Sequence, residues 1–117
     1  MDEKEMNRSF YELVKKVRRN QKSYFATQDK KFLNEVLKPL EGELDRRLQA
    51  ERPTLRTALQ FRGAVYEMRR WQIIWASSFT TESRDNSIKN ERNVDGWILR
   101  TEEYIKQQMS PTLQFES

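Results

Sequence analysis

Two segments of this chain repeat one residue pattern, 51 positions apart. The first reads FYELVKKVRRNQKSYF from Phe10, and the second reads FRGAVYEMRRWQIIWA from Phe61. Chance agreement at ordinary composition would give roughly one match in such a stretch, whereas five positions are identical. A repeated unit that cannot bury its own apolar face stacks on its copy. The repeat therefore predicts an internal duplication. The identical pairs are Phe10/Phe61, Val14/Val65, Arg18/Arg69, Arg19/Arg70 and Gln21/Gln72.

The spacing of the apolar residues predicts four amphipathic helices. In the first, from about residue 3 to Thr27, the apolar side chains fall within an arc of about 120°. The second helix carries a leucine stripe that continues past Pro39, which favours a kink at the proline over the end of the helix. We expect the third helix to start at Pro53 and the fourth to end before Pro111. The first two stripes are Met6, Phe10, Leu13, Val14, Val17, Gln21, Tyr24 and Phe25, then Leu33, Val36, Leu37, Leu40, Leu44 and Leu48.

The links between these helices are expected to differ in length. A short link at residues 26–28 joins the first two helices. Residues 77–86 are rich in Ser, Thr and charged residues and therefore predict the longest loop, with the fourth helix beginning between Asn86 and Asn93. The last two stripes are Leu55, Ala58, Phe61, Ala64, Val65, Met68, Gln72, Trp75 and Ala76, then Val94, Trp97, Ile98, Thr101, Ile105 and Met109.

The repeat extends into the second and fourth helices. Leu37-Lys38 matches Ile88-Lys89 at the same offset, and with one residue deleted the matches continue. Each half is then a helical hairpin, so the predicted fold is all-α: one domain over residues 1–117, a four-helix bundle built from two pseudo-symmetric hairpins. The first repeat covers about residues 3–50, the second about 53–109, and residues 110–117 form a tail. The later matched pairs are Glu41/Glu91, Leu44/Val94, Asp45/Asp95 and Leu48/Ile98.

The composition argues against catalysis and metal binding. The chain has neither cysteine nor histidine, which removes disulfides, zinc sites and the usual pairs of nucleophile and base. Its three glycines are isolated, so a phosphate-binding loop is absent. We expect a non-enzymatic protein with no catalytic residue, cofactor or metal. The longest apolar-rich run, Trp71 to Ala76, is too short to span a bilayer, and we expect a cytoplasmic protein with no membrane contact.

Gln21 and Gln72 stand near the centres of apolar stripes. A polar side chain there costs about 1–3 kcal/mol unless it is hydrogen-bonded. The favoured interpretation is that the two glutamines pair with each other or with backbone carbonyls and fix the register of the bundle. The alternative is a polar contact for a ligand inside the bundle. On the first interpretation, Gln21→Leu should raise thermal stability or broaden the oligomeric state.

The first half also resembles a known group of sequences. Its pattern combines Phe10-Tyr11, Leu13-Val14, Val17-Arg18, Gln21-Lys22 and Tyr24-Phe25, followed by Leu40-Glu41 and Leu44-Asp45. This pattern is similar to that of small, uncharacterised helical proteins of bacterial and phage genomes. Members more often carry Met at Val17 and Arg at Gln28, and Pro39 departs from the pattern. The resemblance covers roughly the first 48 residues and implies a phage or mobile-element context but no known activity.

The segment WQIIWASSF supplies the strongest indication of function. Its apolar side chains point to nearly every side of a helix, so one buried face cannot hold them all. Either several neighbours bury the segment, or part of it is an exposed patch that binds a partner. We expect a protein–protein interaction module, which could inhibit or adapt a host complex, defence complexes included. The expected partner-binding residues are Trp71, Ile74, Trp75 and Phe79, with Arg69 and Arg70 at the rim.

Two alternatives to this function are retained. Basic residues interleaved with tyrosines lie along one flank of the first and third helices, and such surfaces can bind RNA or DNA, although a charged flank is more often only solvated. The other alternative is a structural homodimer subunit. The residues expected to bind nucleic acid are Tyr11, Lys15, Arg18, Arg19 and Lys22 on the first helix, with Arg62 and Tyr66 on the third.

Overall fold

The fold is all-α, as predicted. A computed structural model describes residues 3–51 and 61–109, with side chains for residues 8–50 and 61–108. The expected helix start at Pro53, the helix end at Pro111, the tail and the side chains of Met6 and Met109 lie outside these ranges. Within them the backbone forms four helices and no strand. The helices are α1 (Glu3–Thr27), α2 (the consecutive stretches Lys30–Phe32, Leu33–Leu37 and Lys38–Glu51), α3 (Phe61–Ser78) and α4 (Thr81–Met109).

The α2 helix runs through Pro39 without ending. Leu33–Leu37 is a π-helical turn, in which the Lys38 N–H donates to the carbonyl of Leu33 five residues earlier. In a regular α-helix the proline ring would press on the carbonyl four residues before it. Because the π turn is wider, it accommodates the ring. The prediction that the helix continues past Pro39 is therefore confirmed.

The same π turn accounts for the single residue by which the two halves differ. A π turn holds one extra residue relative to the α-helix around it. Before the turn, Asp29 corresponds to Thr80, 51 positions later; after it, Glu41 corresponds to Glu91, 50 positions later. Leu37, the last residue of the turn, is buried like Ser87, 50 positions later, so the match of Leu37-Lys38 with Ile88-Lys89 at offset 51 is not kept in the structure. The matching part of α4 is regular α-helix. The extra residue of the first half thus lies inside the α2 helix. On both sides of the π turn, the helix faces of the two halves still correspond.

Two-residue corners join α1 to α2 and α3 to α4. At the first, Gln28 adopts a φ of 55°, and at the second Phe79 adopts a φ of 54°. The Gln28 N–H donates to the carbonyl of Tyr24 (2.7 Å), and the Phe79 N–H donates to that of Trp75 (3.0 Å). These are the bonds of a helix that ends in the left-handed conformation. The two corners therefore share one geometry at matching positions of the repeat.

The prediction of a long loop at residues 77–86 is wrong. Only Phe79 and Thr80 separate α3 from α4, which begins at Thr81. Thr80 Oγ1 accepts the backbone N–H of Ser83 (3.1 Å), and the Ser83 hydroxyl donates to the Thr80 carbonyl (2.9 Å). Ser and Thr are favoured in loops and at helix starts alike. Here they begin a helix.

The apolar stripes meet in one core. The rings of Phe10 and Phe61 make an edge-to-face contact with centroids 5.8 Å apart, so matched residues of the repeat face each other. Three expected core residues are exposed instead: Phe25 lies at the end of the bundle, Val36 on the π turn and Ala76 in the last turn of α3. The equivalent contacts are those that a duplication produces, while the common origin of the halves stays a prediction. The buried apolar residues are Phe10, Tyr11, Leu13, Val14, Val17, Leu37, Leu44, Leu48, Ala64, Val65, Met68 and Val94.

Candidate partner-binding groove

Gln21 and Gln72 pair across the bundle. Gln21 Nε2 donates to Gln72 Oε1 (3.0 Å), and Gln72 Nε2 donates to Gln21 Oε1 (3.2 Å). Each amide also donates to a carboxylate of its own half: Gln21 to Glu41 (2.8 Å) and Gln72 to Glu91 (2.7 Å). Gln21 is buried and Gln72 half-buried. The glutamines therefore link the two halves at their shared seam.

Arg18 and Arg69 extend this network to the opposite hairpins. Arg18 on α1 donates two hydrogen bonds to Asp95 on α4 (2.8 and 3.0 Å). Arg69 on α3 donates two to Asp45 on α2 (2.7 and 2.8 Å). Each guanidinium also donates to the glutamine three residues later on its own helix. The distance is 2.6 Å from Arg18 to Gln21 and 2.8 Å from Arg69 to Gln72. Such forked arginine–carboxylate pairs are the strong charge-assisted hydrogen bonds, and these two cross-brace the hairpins.

Arg18, Lys22 and Asp95 make the bundle sensitive to acid. Burial raises the pKa of Asp95, but the hydrogen bonds and charges of Arg18 and Lys22 outweigh it and hold the pKa below its ordinary value of 3.8. A carboxyl whose pKa is depressed by folding stabilises the protein above its unfolded pKa and ceases to do so as the pH falls through its folded pKa. We expect a melting temperature that changes little from about pH 7 to 5 and falls at lower pH.

Circular dichroism melts across that range test this expectation. The variant Asp95→Asn should melt lower at neutral pH and show a shallower decline in acid. The exposed Asp85→Asn serves as the matched control and should keep the wild-type profile. Equal acid profiles for Asp95→Asn and the wild type would contradict the role given to this carboxylate.

The network forms the floor of an open groove. The groove has a volume of about 500 Å³ and lies at the end of the bundle that carries both corners. Aromatic and aliphatic side chains from α1, α2 and α3 make its walls. The lining residues are Tyr24, Phe25, Leu33, Leu37, Ile73, Trp75, Ala76 and Phe79 on the walls, with Gln21, Glu41, Arg69, Gln72, Ser87 and Glu91 on the floor.

Phe79 is the most unusual residue of this groove. It holds the left-handed backbone conformation that glycine or asparagine usually supplies at a helix end. Its ring is 70% exposed and makes an edge-to-face contact with Trp75, with centroids 5.3 Å apart. The strain costs stability, and the exposed part of the ring gains none from burial. Strain of this kind is characteristic of binding sites.

The two corners allow this cost to be measured. Gln28→Gly removes left-handed strain without removing an apolar contact, and we expect it to raise the free energy of unfolding by about 1 kcal/mol. Phe79→Gly relieves the same strain but loses the contact with Trp75, so its expected change is smaller. Urea titrations of the two variants and the wild type give these differences. A loss of stability in Gln28→Gly would contradict the strain at these corners.

A second, shallower cleft lies between α2 and α3. It has a volume of about 380 Å³ and is lined by Asp45, Leu48, Gln49, Tyr66, Arg69, Arg70, Ile73 and Ile74. Ile73 lines both depressions, so the apolar surface is continuous from the groove to this cleft.

The structure divides the predicted partner-binding residues between these depressions. Trp75 and Phe79 line the groove, whereas Ile74 and Arg70 line the cleft. Trp71 is half-buried outside both, with the guanidinium of Arg70 5.3 Å from its ring centroid. Arg69 is only 8% exposed, which corrects its assignment to an accessible rim. Its charge is already committed to the network.

The basic flank predicted on α1 is largely neutralised by α4. Tyr11 is buried, its hydroxyl donates to Glu102 (2.8 Å), and Lys15 pairs with the same carboxylate. Burial and that hydrogen bond raise the pKa of Tyr11, so it stays a donor. Lys22 pairs with Asp95 at 3.2 Å. These ion pairs leave little charge for phosphate groups.

The remaining residues of the predicted flank lie in different surroundings. Arg18 is buried, which corrects its assignment to a nucleic-acid-binding face. Arg62 covers the ring of Phe10 at 4.2 Å, and Tyr66 lines the cleft. Arg19 is exposed and makes no ion pair within the described ranges. The four cations of α1 line one depression together with the carboxylates of Asp95 and Glu102, whereas Arg62 and Tyr66 on α3 lie elsewhere.

The sequence interpretation missed the α1 and α2 walls of the groove, which are Tyr24, Phe25, Leu33 and Leu37. One signal was available. Tyr24 aligns with Trp75 in the repeat, so two aromatic residues were expected at equivalent ends of α1 and α3. Residues beyond the core at such ends are natural candidates for an exposed aromatic surface.

The described part of the chain holds no group of acidic side chains suited to a metal ion. Among the helices in that part, none combines the length and the apolar character needed to cross a membrane. Comparison with protein-family models, with curated proteins and with solved structures finds no match to this chain. The groove is therefore interpreted from its own geometry and charges.

Proposed function

We propose that this chain is a non-enzymatic binding protein whose groove docks an apolar segment of a protein partner. The observation that carries the proposal is Phe79, a strained and exposed aromatic residue at the groove wall. Glycine would avoid both the strain and the exposure, so the contact with Trp75 gives folding only a partial reason for a phenylalanine there. Binding does, because aromatic side chains in pockets supply much of the energy of protein interfaces.

The form of the groove favours a peptide segment over a small metabolite. The groove is open, four aromatic rings lie along its walls, and all four helices contribute to it, α4 through Ser87 and Glu91 on the floor. Apolar side chains of an amphipathic segment can insert between such walls in the manner of helix-in-groove recognition. We further propose that the protein belongs to a phage or mobile element and that its partner is a host complex, which it inhibits or adapts. This part of the proposal depends on the sequence resemblance alone.

The test is selection of random 12-residue peptides on immobilised protein, followed by calorimetry of the selected peptides. Phe79→Ala should weaken their binding by about 30-fold, the effect of an interface anchor of roughly 2 kcal/mol. Phe79 is mostly exposed, so this variant is expected to fold. The control Leu99→Ala removes another mostly exposed apolar side chain, which lies outside the groove, and should leave binding unchanged.

The site of binding can be read from the tryptophan indole N–H signals. Trp75 lines the groove, whereas Trp97 packs against Phe61 on the core side with ring centroids 6.2 Å apart. A selected peptide should shift the Trp75 indole signal in a ¹⁵N spectrum and leave that of Trp97 in place. Peptides that bind Phe79→Ala as tightly as the wild type would sink the proposal. So would a shift at Trp97 alone.

A further inference from the structure

We propose that the docked segment carries a lysine or arginine whose cationic group passes between the aromatic walls to Glu41 and Glu91 on the groove floor. This inference rests on the proposed function and names the chemistry of the partner. It follows from the charge balance of the network, from the exposure of the two carboxylates and from the nature of the walls above them.

The network holds more negative than positive charge. Each arginine makes its forked pair with an aspartate, Arg18 with Asp95 and Arg69 with Asp45. Two glutamates then remain without a forked arginine pair of their own. Lys22 adds one cation, but it contacts Asp95 at the outer edge. The floor is therefore left with a negative charge that a bound cation would offset.

Glu41 and Glu91 are the carboxylates of the network whose negative charge is least balanced by a nearby cation. Glu41 lies 3.2 Å from Arg69 Nη1, and Glu91 lies 3.9 Å from Arg18 Nη1, at the limit of an ion pair. Their remaining contacts come from neutral groups: the amides of Gln21 and Gln72, and the Ser87 hydroxyl, 3.5 Å from Glu91. Interactions between charges strengthen as water is excluded. A docked segment that covers the groove would make the missing cation more important.

The carboxylates are reachable from the groove. The side chains of Glu41 and Glu91 are 20% and 16% exposed, and both line the floor. Tyr24, Trp75 and Phe79 stand on the walls above them. Faces of aromatic rings attract cations by about 0.5–2 kcal/mol, more as the site is desolvated. Aromatic walls over a carboxylate floor suit a cationic group on an apolar stem, which is the structure of a lysine side chain.

An acidic segment would fit this groove less well. Arg69 also lines it, but its guanidinium already donates to Asp45 and Gln72. No other cation appears among the lining residues, which belong to the described part of the chain. An incoming carboxylate would face Glu41 and Glu91 and be repelled. The charge of the floor thus selects a basic residue at the centre of the segment.

The experiment compares the 12-residue peptides selected by the wild type, by Glu91→Gln and by Glu41→Gln/Glu91→Gln. Glutamine keeps an oxygen to accept the amide hydrogen bond, and melting curves check that each variant folds. We expect wild-type peptides to be enriched in a Lys or Arg flanked by apolar residues, and the double variant to lose that enrichment. Glu103→Gln, an exposed carboxylate outside the groove, is the control and should select as the wild type does.

A thermodynamic cycle then measures the interaction between the basic residue of the peptide and the two glutamates of the floor. Replacing the basic residue of the best peptide by norleucine should weaken its binding to the wild type by about tenfold and leave binding to the double variant nearly unchanged. Wild-type peptides without a basic residue, or a basic residue equally important in the double variant, would overturn this inference while leaving the apolar docking site intact. Selection that does not depend on Phe79 would overturn the docking site as well.

Discussion

Arg69→Ala is expected to lower the free energy of unfolding by roughly 2–3 kcal/mol, because removing this buried arginine leaves the partly exposed carboxylates of Asp45 and Glu41 without their cation. Arg69 is 8% exposed and donates to Asp45 and Gln72, with Glu41 3.2 Å away. Asp45 would lose both hydrogen bonds from Arg69, whereas Gln72 and Glu41 would keep only the one from Gln21. The alkyl stem of the arginine also packs at the edge of the core, and its loss adds to the cost.

The neighbouring arginine provides the control for this prediction. Arg70 has a half-exposed side chain and pairs with Glu67 on its own helix at 3.3 Å. Exposed pairs of this kind contribute about 0–1 kcal/mol, so Arg70→Ala should change stability little. Urea unfolding followed by circular dichroism measures both variants. Equal losses would show that the buried position of Arg69 has no special role.

The repeat extends this prediction to the first half. Arg18 makes the same contacts with Asp95 and Gln21 that its counterpart makes in the other half. Arg18→Ala should therefore destabilise the protein by a similar amount. A much smaller loss would mean that the two halves, although alike in geometry, differ in energy.

Much of the fold could be predicted from the sequence because helix formation is a local property. The apolar stripe of the first helix predicted where α1 begins and ends, and the repeat predicted the equivalent stripe in α3. The one-residue gap between the halves was also visible. The sequence did not show that this gap is a π turn, because a π turn before Pro39 depends on the strain of the proline within a packed helix.

The network was only half predictable. Helical spacing places Gln21 and Gln72 on the apolar faces. Their pairing could be predicted from this, because a buried amide needs a hydrogen-bond partner. The same spacing places Arg18 and Arg69 at the edge of those faces, where a solvated role is the ordinary expectation. Whether such an arginine meets a carboxylate depends on the neighbouring helix and its register. That information is tertiary, and no pattern within a single helix contains it.

The groove was the least predictable feature. Trp75 and Phe79 were expected to bind a partner, but the expected site stayed within one segment of the sequence. The actual walls come from three helices that meet because both corners are only two residues long. The Ser- and Thr-rich composition of residues 77–86 indicated a loop that would have separated them. The short corner instead places the exposed ring of Phe79 over the floor.

Gln21→Leu is expected to lower the free energy of unfolding by about 2–3 kcal/mol, the cost of leaving buried polar groups unsatisfied. The sequence alone suggested the opposite sign, since a leucine suits an apolar stripe. The contacts reverse that expectation. Gln21 accepts from Arg18 (2.6 Å) and donates to Glu41 (2.8 Å) and Gln72 (3.0 Å). Leucine would leave Arg18 and Glu41 with one hydrogen bond fewer and Gln72 with two fewer.

A second substitution separates this cost from simple packing. In Gln21→Leu/Gln72→Leu the two leucines can contact each other, so the loss should be smaller than the sum of the single losses, as is usual for directly coupled residues. The exposed Gln107→Leu on α4 is the control and should be nearly neutral. Thermal and urea unfolding give these values, and light scattering reports any change in oligomeric state. A rise in melting temperature for Gln21→Leu would mean that Arg18 and Glu41 find other partners, and that apolar packing alone sets the register of the two hairpins.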